Sequence, residues 1–149
     1  MEVKSLLDEV RRHQAILIGT NVVIYFLEGS DVYGEAAEGL FRLIQSGEAQ
    51  GHLSVITAAE LLVKPIETGN TELQEAINTF LNYFPNLKLL DVTKEIAIKA
   101  AEIRGTTGLK VPDALLMATA VIHRCAVVGN DLTCAKKATD APYIYLAGF

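Results

Sequence analysis

Three carboxylates in this chain sit beside helix-start signals: Glu60 in Thr57-Ala58-Ala59-Glu60, Asp113 in Val111-Pro112-Asp113-Ala114, and Asp131 in Gly129-Asn130-Asp131. Each alone has an ordinary use. Thr57 and Glu60 have capping-box spacing, Asp113 falls where a helix dipole favours negative charge, and Asp131 can cap a short helix from Leu132 to Lys137. Gathered in one crevice, however, like charges repel unless a proton or a cation compensates them. Carboxylate oxygens suit Mg²⁺ or Mn²⁺, which bind through a few acids and keep positions for water and substrate phosphate. Such an ion polarises a phosphoryl oxygen and lowers the pKa of a bound water, the two needs of phosphodiester hydrolysis. A zinc site of His and Cys is not expected. His13, His52 and His123 lie on scattered elements, and the eight residues between Cys125 and Cys134 fit neither a redox pair nor a zinc-ligand pair. The two thiols read as idle groups in a reducing compartment.

Whether the acids meet depends on the elements that carry them. Val3, Leu6, Leu7 and Val10 recur at helical spacing and predict a short amphipathic N-terminal helix. Ala15 to Ile18 is an unbroken apolar run ended by Gly19, which predicts a strand buried on both faces. Helices are expected over Val22 to Leu27 and Ala36 to Gln45. A second strand is expected over His52 to Ile56, with a helix opening at the capping box of Thr57 and Glu60. Leu73, Ile77, Phe80, Leu81 and Phe84 form a helical stripe, Leu87 to Val92 a third strand, and Lys94 to Arg104 a helix stopped by Gly105-Thr106-Thr107-Gly108. Pro112 opens a further helix to about Arg124, Ala126 to Gly129 is a fourth strand, and Tyr143 to Leu146 a short fifth.

Strands alternating with helices predict βαβ units: a three-layer α/β sandwich with a mostly parallel sheet of four to five strands covered by helices. Parallel strands all end at one edge, and ligands of open α/β sheets bind beyond that edge. Gly19, Glu60 and Asp131 each follow a strand, and the helix carrying Asp113 must start at the same edge to feed the fourth strand. The three acids are therefore expected to share one crevice.

The segment Ile16-Leu17-Ile18-Gly19-Thr20-Asn21-Val22-Val23-Ile24-Tyr25 resembles the opening strand and turn of the PIN-domain family. Ala59-Glu60-Leu61, Val111-Pro112-Asp113-Ala114 and Gly129-Asn130-Asp131 are similar to its later motifs, in order, so the resemblance runs from Ala15 to Leu146. It implies a Mg²⁺- or Mn²⁺-dependent endoribonuclease most like the VapC-type toxins of bacterial toxin–antitoxin pairs. Glu60, Asp113 and Asp131 would be the catalytic metal-site acids, with Thr20, Asn21 and Asn130 supporting the site or the phosphate. An antitoxin and a homodimer are the implied partners. The chain departs from the pattern at one place: Gly19 stands where the family has an Asp that binds metal. Losing one anionic donor should weaken metal binding and slow the chemistry. Two accounts of Gly19 stay open, a naturally altered member and an Asp codon changed to Gly by a single base to disarm a toxic nuclease. Retention of the other three acids favours the second. A non-catalytic PIN-like protein that binds an antitoxin or RNA is the alternative function, and a small-molecule domain is disfavoured because no Gly-rich phosphate loop is present.

Composition sets limits. At 149 residues and 50% hydrophobic content the chain has one domain's length and enough apolar material for a continuous core. No repeat or linker divides it, so residues 1–149 read as one domain with residues 1–14 as an extra N-terminal helix. A net charge of −5 excludes broad basic-surface binding to nucleic acid, so RNA contacts must be local. Lys110 and Lys136 are the candidates nearest the acids, with Lys64, Arg104 and Lys137 behind them. Charges throughout the first twelve residues break any signal-peptide core, and no long apolar window suits a membrane span, which predicts a cytoplasmic protein. The apolar face of the N-terminal helix or of Leu73 to Phe84 is available either for a dimer interface or for the domain's own core.

Overall fold

A computed structural model describes residues 1–137 and 140–149. Along the chain run α1 (Val3–Arg11), β1 (Ala15–Ile18), α2 (Thr20–Ile24), α3 (Gly34–Gln45), β2 (Gln50–Ser54), α4 (Val55–Glu67), α5 (Thr71–Tyr83) and β3 (Leu87–Leu90). Then follow α6 (Lys94–Thr107), α7 (Val111–His123), β4 (Ala126–Gly129), α8 (Leu132–Lys137) and β5 (Tyr143–Tyr145). The strands form one parallel sheet in the order β3-β2-β1-β4-β5.

Burial on both sides explains why β1 and β4 lack polar alternation. Ile16, Leu17 and Ile18 are all fully buried, but Ile16 and Ile18 pack into the layer of α1, α3 and α5, while Leu17 packs against α6 and α7. Val128 and Val127 divide between the same two layers from β4, in register with Ile18 and Leu17. The result is the expected three-layer α/β sandwich. In α1, Leu6 and Val10 are fully buried in the domain's own core, and the Glu2 N–H donates to the Phe149 carbonyl at 2.6 Å. That apolar face is therefore already covered. Among the described residues no helix is long and apolar enough to cross a membrane.

Several boundaries differ from expectation. β2 begins at Gln50 and stops at Ser54, and it is Ser54, not Thr57, that caps α4, its hydroxyl accepting the Ile56 N–H at 3.1 Å. Residues 55 and 56 thus open a helix instead of ending a strand. β3 ends at Leu90 and β5 at Tyr145, shorter than the apolar runs that suggested them, because pairing with the neighbouring strand ends there. α2 widens past Ile24 into a π turn, Tyr25–Gly29. α6 runs on to Thr107 and is stopped by Gly108, whose φ of 74° is left-handed backbone that glycine adopts without Cβ strain.

Candidate metal centre at the carboxyl edge of the sheet

The chain runs from β1 outward through β2 to β3, then returns to place β4 on the other side of β1. The two halves of the sheet diverge there, and the carboxyl ends of β1 and β4 leave a crevice. A cavity of about 110 Å³ fills it, lined by Gly19, Thr20 and Asn21 after β1, Glu60 from α4, Asp113 from α7, and Asn130 and Asp131 after β4. Residues separated by up to 112 positions meet as expected. Lys110 and Lys136 do not line the cavity; both are exposed, Lys110 as the residue before α7 and Lys136 in the last turn of α8.

Hydrogen bonds hold Glu60 and Asp131, while the Asp113 side chain makes none among the described residues. Thr20 Oγ1 donates to Glu60 Oε1 at 2.9 Å, so its contact of 3.0 Å with Thr57 Oγ1 must be accepted from the Thr57 hydroxyl. Thr57 is fully buried, one helical turn before Glu60, and it orients the group that orients the acid. The capping box is thereby replaced: Thr57 and Glu60 are joined through Thr20. Asp131 Oδ1 accepts the Cys134 N–H at 2.9 Å and so does cap α8, while the Asp131 N–H donates to the Tyr143 hydroxyl at 3.2 Å. That phenol stands against Gly129, where any Cβ would collide with it. Asn130 is committed on both sides of its amide, Nδ2 donating to the Tyr25 hydroxyl and Oδ1 accepting the Ala147 N–H, each at 3.0 Å. It is an anchor and has no free donor for a phosphate beyond its second amide hydrogen. Asn21 is exposed and, among the described residues, makes no side-chain hydrogen bond. Arg104 is also committed, donating to the Leu109 carbonyl at 2.7 Å across the turn between α6 and α7.

Electrostatics matches the crowding expected of the sequence. Burial, then the charges of Asp131 and Glu60, raise the pKa of Asp113 above its ordinary 3.8, and only Lys110 opposes them. Among the described residues none of the three acids takes part in an ion pair. One carboxylate oxygen each from Asp113 and Asp131, with the Cys134 sulfur, lie within 4.8 Å of one another, the spacing of a metal-ligand group. Oxygen-rich, unneutralised and partly open to solvent, the donor set fits a divalent cation. Thr57, Tyr143 and Cys134 lie outside the sequence-derived set; the one local clue was that all three are polar residues in otherwise apolar or short segments at this edge.

Gly19 lines the same cavity with ordinary extended backbone (φ −68°, ψ 153°), and a Cβ there would meet only Val128 O at 3.4 Å and Gly129 Cα at 3.5 Å. Nothing in the backbone demands glycine, and a Cβ at this position makes only ordinary contacts.

Comparison with known proteins agrees. The toxin–antitoxin complex from Klebsiella pneumoniae is 22% identical over 87% of this chain and 98% of its own, with a TM-score of 0.65. FitAcB from Neisseria gonorrhoeae gives 23%, 90%, 99% and 0.71, and the DNA-bound VapBC from Salmonella typhimurium 19%, 87%, 96% and 0.69. At these identities the likeness is one of fold. No curated protein sequence matches. The PIN domain family matches residues 16–139, a span that includes all four motifs and every residue of the acidic cavity but Tyr143, and the chain belongs to that family.

Proposed function

We propose that this chain has the architecture of a metal-dependent endoribonuclease, the toxin of a toxin–antitoxin pair, with its chemistry impaired at Gly19. The observation that carries the reading is the meeting of Glu60, Asp113 and Asp131 in one cavity with no ion-pair partner among the described residues. These three acids would hold Mg²⁺ or Mn²⁺, which supplies Lewis-acid activation of a phosphodiester and its attacking water. Thr20 keeps Glu60 turned into the cavity, Tyr143 and the first turn of α8 do the same for Asp131, and Asn21 presents a free amide to the substrate. Lys110 and Lys136 supply local positive charge for phosphates entering an otherwise acidic protein. Fold neighbours found in toxin–antitoxin complexes support an antitoxin partner.

A homodimer belongs to the same reading. With the face of α1 buried, we place the second copy on Leu73 of α5 and Val63 and Ile66 of α4, which are among the exposed apolar side chains. We read residues 1–149 as one domain, with α1 an addition outside the family match, and the two free buried cysteines as fitting a reducing cytoplasm.

Cleavage of RNA by the protein and by Gly19→Asp, with Mg²⁺ and with Mn²⁺, tests the proposal: the variant should be the faster by roughly a hundredfold or more. Absence of cleavage by Gly19→Asp with any metal and RNA class would overturn it. The second reading, a non-catalytic PIN protein that binds an antitoxin or RNA, is favoured by Gly19 alone. It predicts a glycine codon at position 19 of the natural gene and RNA or antitoxin binding indifferent to metal.

A further inference from the structure

We infer that Cys134 is a ligand for the ion in this cavity and turns its preference from Mg²⁺ toward thiophilic divalent ions such as Zn²⁺ and Co²⁺. The inference rests on the metal-site reading above and adds a donor that lies outside all four PIN motifs.

The thiol is placed for it. Cys134 lies in the first turn of α8, where Asp131 Oδ1 holds its N–H at 2.9 Å, so sulfur and carboxylate are locked on one short loop. The side chain is 5% exposed and lines the acidic cavity. Its sulfur and one oxygen each of Asp113 and Asp131 lie within 4.8 Å of one another. In a tetrahedral zinc site with metal–sulfur and metal–oxygen bonds of about 2.3 and 2.1 Å, ligand atoms stand about 3.6 Å apart, a closure of about an ångström from this arrangement. Side-chain rotation covers that.

The chemistry then favours a softer ion for two independent reasons. Mg²⁺ requires near-octahedral oxygen donors, and position 19 supplies no side-chain oxygen here. Thiolate instead selects Zn²⁺ and its neighbours over Mg²⁺ and Mn²⁺. Coordination replaces the S–H bond by a sulfur–metal bond, and the proton passes to solvent, one per ion, with no change of oxidation state. Cys125 offers the internal contrast. It is also buried, but it precedes β4 at the amino edge of the sheet, away from the acids.

The test uses Cys125→Ser, which leaves Cys134 as the chain's sole cysteine. Titration with Co²⁺ should give the near-ultraviolet sulfur-to-cobalt absorption in both the unmodified protein and Cys125→Ser, and calorimetry should show Zn²⁺ binding at least about tenfold tighter than Mg²⁺ with one proton released. Cys134→Ser should lose the band and about 10- to 100-fold of Zn²⁺ affinity while keeping its Mn²⁺ affinity. Co²⁺ binding without the band overturns the role of Cys134 and leaves the metal site standing. Failure of every ion to bind overturns the metal site, and this inference with it.

Discussion

Replacing Asp113 by Asn removes one charge from the crowded pocket while keeping the side chain's shape, and it tests the repulsion on which the metal-site reading rests. Oxygens of Asp113 and Asp131 lie within 4.8 Å. Two unit charges at that spacing repel by about 1 kcal/mol in a water-like dielectric and by about 3.5 kcal/mol at an effective constant of 20. The pocket is open to solvent, so the lower part of that range applies. Against it stands the attraction of a first-turn carboxylate for the α7 dipole, about 0.3–1 kcal/mol, together with Lys110. Burial of the charge adds to the unfavourable side, and the raised pKa of Asp113 says that the unfavourable side wins. The net cost of the ionised group is then about 1 kcal/mol, which for a chain of this length corresponds to about 2–4 °C in Tm.

The sign with pH follows. Asp113 is raised, so the native state binds more protons than the unfolded chain just above the ordinary pKa of 3.8, and this group's contribution to stability falls as pH rises through its folded value. Asp113→Asn should therefore melt higher than the parent in EDTA at pH 7, by about 2–4 °C, with the gap closing toward pH 4. Adding Mn²⁺ should reverse the order, because the parent gains the binding energy and the variant forfeits a ligand. Thermal melts of the two proteins in EDTA and in excess Mn²⁺ decide the matter. A variant that melts lower in EDTA at pH 7, or two proteins that gain equally from Mn²⁺, would refute the reasoning.

His52 provides a second pH test, since its Nδ1 is buried without a hydrogen-bond partner among the described residues and burial, His123 and Lys88 lower its pKa from 6.5. The native state prefers the neutral ring, so this contribution is complete above pH 6.5 and is lost as pH falls toward the folded value; His52→Leu should flatten the fall of the denaturation midpoint below pH 6.5. Thr57→Val keeps the volume of a fully buried residue but removes the hydroxyl that orients Thr20, and should cost about 1–2 kcal/mol in urea melts and weaken Mn²⁺ binding. An unchanged Mn²⁺ affinity would separate Thr57 from the site. Gly129→Ala must displace the Tyr143 ring and with it the partner of the Asp131 N–H, at a cost of about 1–3 kcal/mol measured by the same melts.

What the sequence revealed depended on where each residue's partners lay. Ala15–Ile18 and Ala126–Gly129 could be bounded to the residue because strands covered on both faces must be apolar throughout, and a break in that run marks their end. The meeting of Glu60, Asp113 and Asp131 followed from parallel topology alone. The opening of α4 did not follow, because Ser54 and Thr57 are both plausible caps, and the choice between them is made by Thr20, 37 residues earlier, which engages the Thr57 hydroxyl. The partners of Asn130 were hidden for the same reason: its amide supports the site through Tyr25, 105 residues away, and through the backbone of Ala147. Periodicity carries information about neighbours along an element and none about single hydrogen bonds across the sheet edge.

Those cross-edge bonds also explain how the pocket keeps its form without a side chain at position 19. The Gly19 N–H donates to the Val128 carbonyl at 2.8 Å, so the backbone there is set by the pairing of β1 with β4 and by no side chain. Glu60 is held by Thr20 and Thr57, Asp131 by Tyr143 and α8, and the adjoining Asn130 by Tyr25 and the C-terminal turn. None of these tethers passes through position 19 or through an ion. An Asp at that position would add charge to a cavity whose acids already repel, so glycine relieves the metal-free fold and, under the function proposed above, costs the ion a donor. Under that proposal stability and chemistry pull in opposite directions at one residue, and the frame is held independently of the chemistry.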